Sequence, residues 1–289
     1  MDSLSPAIID VFPYLDEELP LLARVTLLSG VVAKFIAIEG NITHSGLSKP
    51  FQLKKKIASL GLPVEQFHVI EVDIPHSLSS FDKDAYQRDF AKNYIVDTFP
   101  EDSFLIFGDV DEVPTEDSVL RAIGLLEQSE TEFVHFAQIM CVGYLNNCEV
   151  TGRLLSYLGE YPDIRGRDRR WLGTTMTRVG NLSELTLSDL RDPARKEFGE
   201  RLQHGGWHFS YTGGTIETEV VARVVDKLIA SAHQEFLHLA RPELISKRLF
   251  KGKDILGRRG VRFAIRDPKN FLPPEIVGDE RFIKAIGEK

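Results

Sequence analysis

Asp109, Asp111 and Glu112 crowd together directly after the apolar run Phe104–Phe107, in the stretch SFLIFGDVDEVP. On an extended chain, side chains two positions apart point the same way, so Asp109 and Asp111 would present two hard oxygen ligands to one side. Such a pair suits Mg²⁺ or Mn²⁺ carried with a diphosphate, and a cation there neutralises a phosphate leaving group. A calcium-binding EF-hand is excluded, because its glycine and terminal glutamate are missing at the required spacing. The bland alternative is a solvated acidic turn, which the preceding apolar strand makes less attractive. Like charges packed at a strand end are costly unless something positive answers them. Three roles stay open for Glu112: accepting sugar hydroxyls, acting as a base, or holding the loop through backbone N–H groups.

The elements that must position this cluster follow from periodicity. Strands are expected at Ile8–Val11, Val31–Ile38, Phe67–Val72, Phe104–Phe107 and Phe133–Ile139. Helices are expected over Asp16–Leu28, Phe51–Leu60, Asp84–Phe99 and Thr115–Leu126. This βα alternation predicts an α/β protein with a mainly parallel sheet flanked by helices. Ligands of such sheets bind beyond the carboxyl ends of the strands, where Glu39 and the Asp109 cluster fall. Past about residue 140 the rhythm changes. An arginine-rich loop, Arg165–Arg170, precedes a strand at Trp171–Val179; GGWHFSYTGG (205–214) reads as a short strand between glycine pairs, and Ile216–Ala240 as a helix. No repeat or linker divides the chain, so one domain over 1–289 is expected.

The chain has 289 residues, 43% of them hydrophobic and 27% charged, and a net charge of −8. The length suffices for a sizeable core. The negative charge argues against general nucleic-acid binding, which needs a basic surface, while leaving room for local phosphate pockets. Cys141 and Cys148 suit small buried hydrophobes, with a disulfide between them as the alternative; nothing resembles a secreted disulfide scaffold. The first residues lack a basic leader and no apolar stretch approaches a membrane span, so a cytoplasmic protein is the simplest expectation.

Six blocks, VVAKFIAIEGNITHSGLSKP, YQRDF, LIFGDVDEVP, GGWHFSY, SAHQEF and GKDILGR, resemble glycosyltransferase family 17 in their order, over roughly residues 12 to 259. The best-known members of that family are β-1,4-mannosyl-glycoprotein β-1,4-N-acetylglucosaminyltransferases. The resemblance implies a GT-A-like nucleotide-sugar-binding fold, a divalent metal and inversion at the anomeric carbon. It divides the domain into a nucleotide-sugar half, about 1–140, and an acceptor-side, metal-completing half, about 141–289. Two departures stand out: no membrane anchor or lumenal targeting like that of eukaryotic members, and FSYTGG without the cysteine that often follows the Trp-His pair.

The resemblance also distributes roles. Asp109 and Asp111 match the family's DxD motif, Asp111 as direct metal ligand and Asp109 as ligand through water or as ribose contact. His208 is the candidate third ligand, favouring Mn²⁺ over Mg²⁺; a core histidine is its structural alternative. Trp207 would stack on sugar or pack in the core. Glu39, Thr43, His44, Gly46, Lys49, Arg88, His233, Lys253 and Arg258 are candidate donor-binding residues, Lys49 and Arg88 for the diphosphate, Lys253 and Arg258 as second phosphate contacts. Arg88 paired structurally with Asp111 is the competing reading. Glu112, Asp163 and Glu217 are candidate bases for deprotonating the acceptor hydroxyl. Arg165–Arg170 would rim an anionic acceptor, or form a plain charged loop. The expected activity is metal-dependent inverting transfer of a sugar, by default GlcNAc, from a UDP-sugar to a glycan or small carbohydrate hydroxyl. The alternatives are a metal-dependent nucleotidyltransferase or phosphohydrolase, or a non-catalytic nucleotide-sugar-binding protein. Oligomeric state is not legible.

Overall fold

A computed structural model describes residues 6–151, 171–192, 196 and 198–288. Asp163 and Arg165–Arg170 lie outside the described residues. The first half runs β1 (Ile8–Tyr14), α1 (Glu18–Leu28), β2 (Lys34–Gly40), α2 (Leu53–Ser59), β3 (Phe67–Val72), α3 (Ser80–Asp89), α4 (Lys92–Thr98), β4 (Phe104–Phe107), β5 (Glu112–Val113), α5 (Glu116–Gln128) and β6 (Val134–Val142). The second half adds β7 (Asn147–Glu149), β8 (Trp171–Arg178), β9 (Glu200–Leu202), β10 (Trp207–Ser210), α6 (Glu217–Ala230), α7 (Pro242–Leu249) and β11 (Phe263–Ile265).

The sheet is mixed, which corrects the expectation of a mainly parallel one. Strands β3, β2, β1 and β4 are parallel neighbours in that order. Beyond β4 the sheet changes sense, because β8 is inserted antiparallel between β4 and β6. Strand β7 then turns back against β6, and β11 against β7, both antiparallel, while β9 and β10 run parallel to β6. Parallel pairing needs a long crossover, supplied by helices up to β4. The return from β6 to β7 is a tight reversal instead, with Gly143 at φ +77°. Cys141 and Cys148 face each other across that reversal and are disulfide-bonded, and both are also buried.

Two other expectations shift at element ends. The single helix over Asp84–Phe99 is two helices, and α3 begins earlier, where Ser79 accepts the Asp82 N–H at 3.2 Å. The long helix after Ile216 stops at Ala230, and a 3₁₀ turn, Gln234–Leu239, follows.

Alternation along the central strands separates two core layers. On β1 and β4, Ile9, Val11, Leu105 and Phe107 face one layer, with Ile95, Leu182 and Leu190 over them. Phe12, Tyr14, Phe104 and Ile106 face the other, against Leu21, Val25 and Leu28 of α1. Asp10 belongs by parity to this second face and is fully buried. Its partner is Arg24 of α1, also fully buried, whose Nε and Nη2 donate to the two carboxylate oxygens at 2.6 Å each. Nη1 of Arg24 donates onward to the main-chain carbonyls of Asp109, at 2.9 Å, and Glu112, at 2.8 Å. The guanidinium also lies over the Phe12 ring, 5.0 Å from its centroid. One buried arginine thus joins β1 and α1 to the acidic turn.

Replacing Arg24 by Met leaves Asp10 charged and unanswered in the core. Urea unfolding of R24M should show a loss of about 3–5 kcal/mol, and R24K a smaller one, since an ammonium keeps the charge but not the fork.

Candidate functional site

The acidic residues sit on a turn rather than on extended chain. β4 ends at Phe107, and the Glu112 N–H closes back onto the Asp109 carbonyl at 2.9 Å. β5 then pairs antiparallel with β10, placing His208 opposite Glu112, and the Phe209 N–H donates to the Asp111 carbonyl at 2.7 Å. The turn is therefore fixed by its backbone from two sides, Arg24 and β10.

The carboxylates go to separate partners. Asp109 lies 3.0 Å from Arg88 Nη2 through Oδ1 and 3.0 Å from Arg191 Nη2 through Oδ2. The Oδ1 contact lacks hydrogen-bond alignment, so that buried oxygen has no hydrogen-bond partner among the described residues. Asp111 is buried; its Oδ2 accepts from Lys227 Nζ at 2.5 Å, and its Oδ1 lies 3.4 Å from His208 Nε2. Burial works to raise the Asp111 carboxyl, but Lys227 and then His208 outweigh it and hold the group far below the ordinary carboxylate range. Burial likewise opposes the Lys227 ammonium, yet Asp111 and Glu17, the latter 3.3 Å away, hold its pKa above the usual lysine value. For Asp109, burial is again outweighed by Arg191 and Arg88, and its pKa is lowered.

Glu112 is fully buried and accepts from three donors: Trp171 Nε1 at 2.6 Å, the Asp109 N–H at 2.8 Å, and Arg191 Nη1. Of the three roles open from sequence, its contacts are those of a residue that holds the loop. Gly173 makes room for it, since a Cβ there would collide with the Glu112 carboxyl and the Trp171 indole N–H.

The remaining sequence candidates divide clearly. Glu39 is fully buried and accepts from Lys49 Nζ and from the N–H groups of Gln52 and Leu53, so it and Lys49 secure the start of α2. Thr43 accepts the Leu47 N–H and bonds Ser45 within its loop, where Gly46 has φ +96°. That loop still reaches the site. His44 Nε2 meets Gln87 Oε1 at 2.9 Å, Gln87 donates to the Ile38 carbonyl at 2.6 Å, and the Ser45 N–H donates to the Ala230 carbonyl at the end of α6. Arg88 joins the cluster through Asp109, not Asp111, and also pairs with Asp84. His208 joins it too; its Nδ1 is buried without a hydrogen-bond partner among the described residues. Trp207 points to the opposite side of β10 and packs in the core near Phe209 and Phe271. His233 is exposed on a rim, bonded to Glu235 and edge-on to Phe81. Lys253 is exposed, and Arg258 is engaged bidentately by Asp254; neither has a contact with the acidic cluster among the described residues. Glu217 begins α6, ten residues from Lys227, or about 15 Å along the helix.

Sequence reasoning missed Arg24, Asp10, Glu17, Trp171, Arg191 and Lys227. Trp171 is the aromatic at the site, its ring 5.0 Å from that of His208.

Five carboxylates, Glu17, Asp84, Asp109, Asp111 and Glu112, face three cations, Arg88, Arg191 and Lys227, among the described residues. The buried Lys196 also stands close enough to feel Glu112 and Asp109. No set of three His, Cys, Asp or Glu side chains among the described residues converges as a cage. Two ligand atoms do converge, Asp111 Oδ1 and His208 Nε2, 3.4 Å apart. Adjacent ligands on one octahedral ion at roughly 2.1 Å lie about 3 Å apart, and magnesium-type ions usually take one or two protein ligands and complete their shell with substrate phosphate and water. With two convergent atoms, the described residues do not by themselves enclose a resident ion.

Residues 6–138, less than half of the chain, match the family model of glycosyltransferase family 17. The span holds β1 to β5, most of β6 and the whole acidic turn; His208 and Lys227 lie beyond it. Among solved structures, the chain is similar to a 4-diphosphocytidyl-2C-methyl-D-erythritol synthase, with 12% identity, TM-score 0.39, and 70% of this chain and 90% of that one covered. It is also similar to residues 1–349 of S. aureus TarS, with 12% identity, TM-score 0.39, and 81% and 70% covered. The galactosyltransferase LgtC, solved with donor and acceptor sugar analogs, aligns at 10% identity and TM-score 0.33, with 81% and 83% covered. No curated protein matches the chain. Among the described residues no helix is long and apolar enough to cross a membrane.

Gly173→Ala should cost about 1–3 kcal/mol by overpacking against Glu112 and Trp171, measured by urea unfolding. The Asp111–Lys227 pair carries a pH signature. The depressed Asp111 contributes stability above its unfolded pKa near 3.9 and loses it as pH falls towards the lower folded value; the raised Lys227 contributes below about 10.4 and loses it as pH rises. The stability difference between wild type and Lys227→Met should therefore shrink as pH falls below about 4 and as it rises above about 10.

Proposed function

We propose that the protein is a glycosyltransferase that takes its sugar from a nucleotide-sugar donor, with UDP-GlcNAc as the first donor to test and a carbohydrate hydroxyl as acceptor. The observation that carries this reading is the Asp109–Asp111 turn. It leaves β4 beside the carboxyl end of β1, within the family 17 span, walled by Arg88, Arg191 and Lys227. Buried Asp109 Oδ1, without a hydrogen-bond partner among the described residues, supports it further, since such an atom in a native site commonly awaits a ligand.

On this reading Asp111 and His208 would hold a Mn²⁺ or Mg²⁺ ion delivered with the diphosphate, which would supply positive charge against that developing on the leaving group. Arg88 and Arg191 position Asp109 and add fixed positive charge beside the same phosphates. Trp171, held by Glu112, supplies an apolar face for a sugar ring. With inversion, the acceptor oxygen bonds the anomeric carbon from the face opposite the diphosphate as the old glycosyl–phosphate bond breaks, and a base takes the hydroxyl proton. Glu112 is enclosed by three donors and Glu217 is remote, so Asp163 is the carboxylate to examine as base.

Asp111→Asn should lower turnover about 100-fold or more, with an unchanged circular dichroism spectrum. The assay follows nucleoside diphosphate release and sugar transfer from a panel of UDP- and GDP-sugars. Full activity in D111N, or release of pyrophosphate in place of a nucleoside diphosphate, would overturn the proposal.

A further inference from the structure

We infer that Lys227 is a placeholder cation, which holds Asp111 in the metal-free protein and must be displaced before a divalent ion can bind there. This rests on the metal-dependent reading above and adds an order of events to it.

The geometry sets up a competition. Asp111 is the one carboxylate of the turn that converges with a second candidate metal ligand, His208. The same carboxylate is the closest partner of Lys227, at 2.5 Å, and Lys227 bridges it to Glu17 at 3.3 Å. Asp111 is nearly inaccessible, so its charge needs a partner at all times: an ammonium when no metal is present, the metal otherwise. Glu17 is itself anchored, accepting the N–H groups of Leu15 and Asp16, and it keeps an alternative seat for the ammonium. The Lys227 side chain retains some solvent exposure and lies 5.6 Å from the Tyr211 ring centroid, so its flexible stem has somewhere to turn. By contrast, Arg24 is locked between a carboxylate and two carbonyls and cannot serve this way.

Two consequences follow from mass action. Metal alone binds weakly, because it must break the Lys227–Asp111 pair. A nucleoside diphosphate offers Lys227 a new anionic partner, so nucleotide and metal strengthen each other's binding through this residue.

The test is Mn²⁺ binding followed by electron paramagnetic resonance, with and without UDP, on wild type, Lys227→Met, Lys227→Gln and Asp111→Asn. The expected result is that K227M binds Mn²⁺ alone about tenfold or more tightly than wild type, and that UDP enhances Mn²⁺ affinity much more in wild type than in K227M. K227Q, which keeps a hydrogen-bond donor but not the charge, should also bind Mn²⁺ more tightly, and it serves if K227M does not fold. Binding in all of these should vanish in D111N. Equal Mn²⁺ affinity in wild type and both Lys227 variants, still dependent on Asp111, would overturn the placeholder role and spare the metal reading. No Asp111-dependent Mn²⁺ binding in any variant would overturn both.

Discussion

The buried Arg24–Asp10 pair is the constraint on which the site depends. Burying two charges is tolerable only when each is fully answered. Here Asp10 receives two donors, and the third arm of the fork is turned to the main chain of the acidic turn. That spends one guanidinium on three segments far apart in sequence: the middle of β1, the second turn of α1 and the exit of β4. The stack of Phe12 beneath the guanidinium completes its coordination from the apolar side. Without this residue the Asp109–Glu112 turn would lose its main-chain anchor to β1 and α1, leaving β10, the Thr174 hydroxyl on the Glu112 carbonyl and the ion pairs of Asp109 to hold it.

Around that anchor the charges are arranged in two grades. Glu112 and Arg191 are structural neighbours of the turn, tied to Trp171 and the Gly173 carbonyl. Asp109 and Asp111 are the second grade, Asp109 shared between cations of α3 and the segment after β8, Asp111 between Lys227 of α6 and His208 of β10. The second half of the chain thus supplies the counter-charges for carboxylates placed by the first half.

Much of the first half was legible in the sequence because its strands are short apolar runs bounded by turn residues. β3 and β4 fall where the pattern puts them, and the acidic turn follows β4 as expected. The sense of the sheet past β4 was not legible, since strand direction there follows from a reversal and an inserted strand, neither of which has a periodic signature. The counter-ions were hidden for a different reason: Lys227 is 116 positions from Asp111, and Arg24 is 85 from Asp109. Signals did exist. Asp10 interrupts an apolar strand, Arg24 sits inside the buried run Leu21–Val25, and Lys227 lies beside the Val220, Val224 and Leu228 stripe of α6. A charge in an apolar stripe is a request for a distant partner, though it does not say which. Glu39 misled because a carboxylate at a strand end looks the same whether it caps a helix or meets a ligand.

Arg24 grips the turn by carbonyl oxygens, and Phe209 grips it by another, so main-chain contacts hold the backbone at 109–112 independently of which side chains stand at 109 and 111. The turn behaves as a socket whose two outward letters can be rewritten while its frame stays put. A lineage, or an engineer, could exchange the chemistry presented there, carboxylate for amide or imidazole, without first inventing a new way to fold.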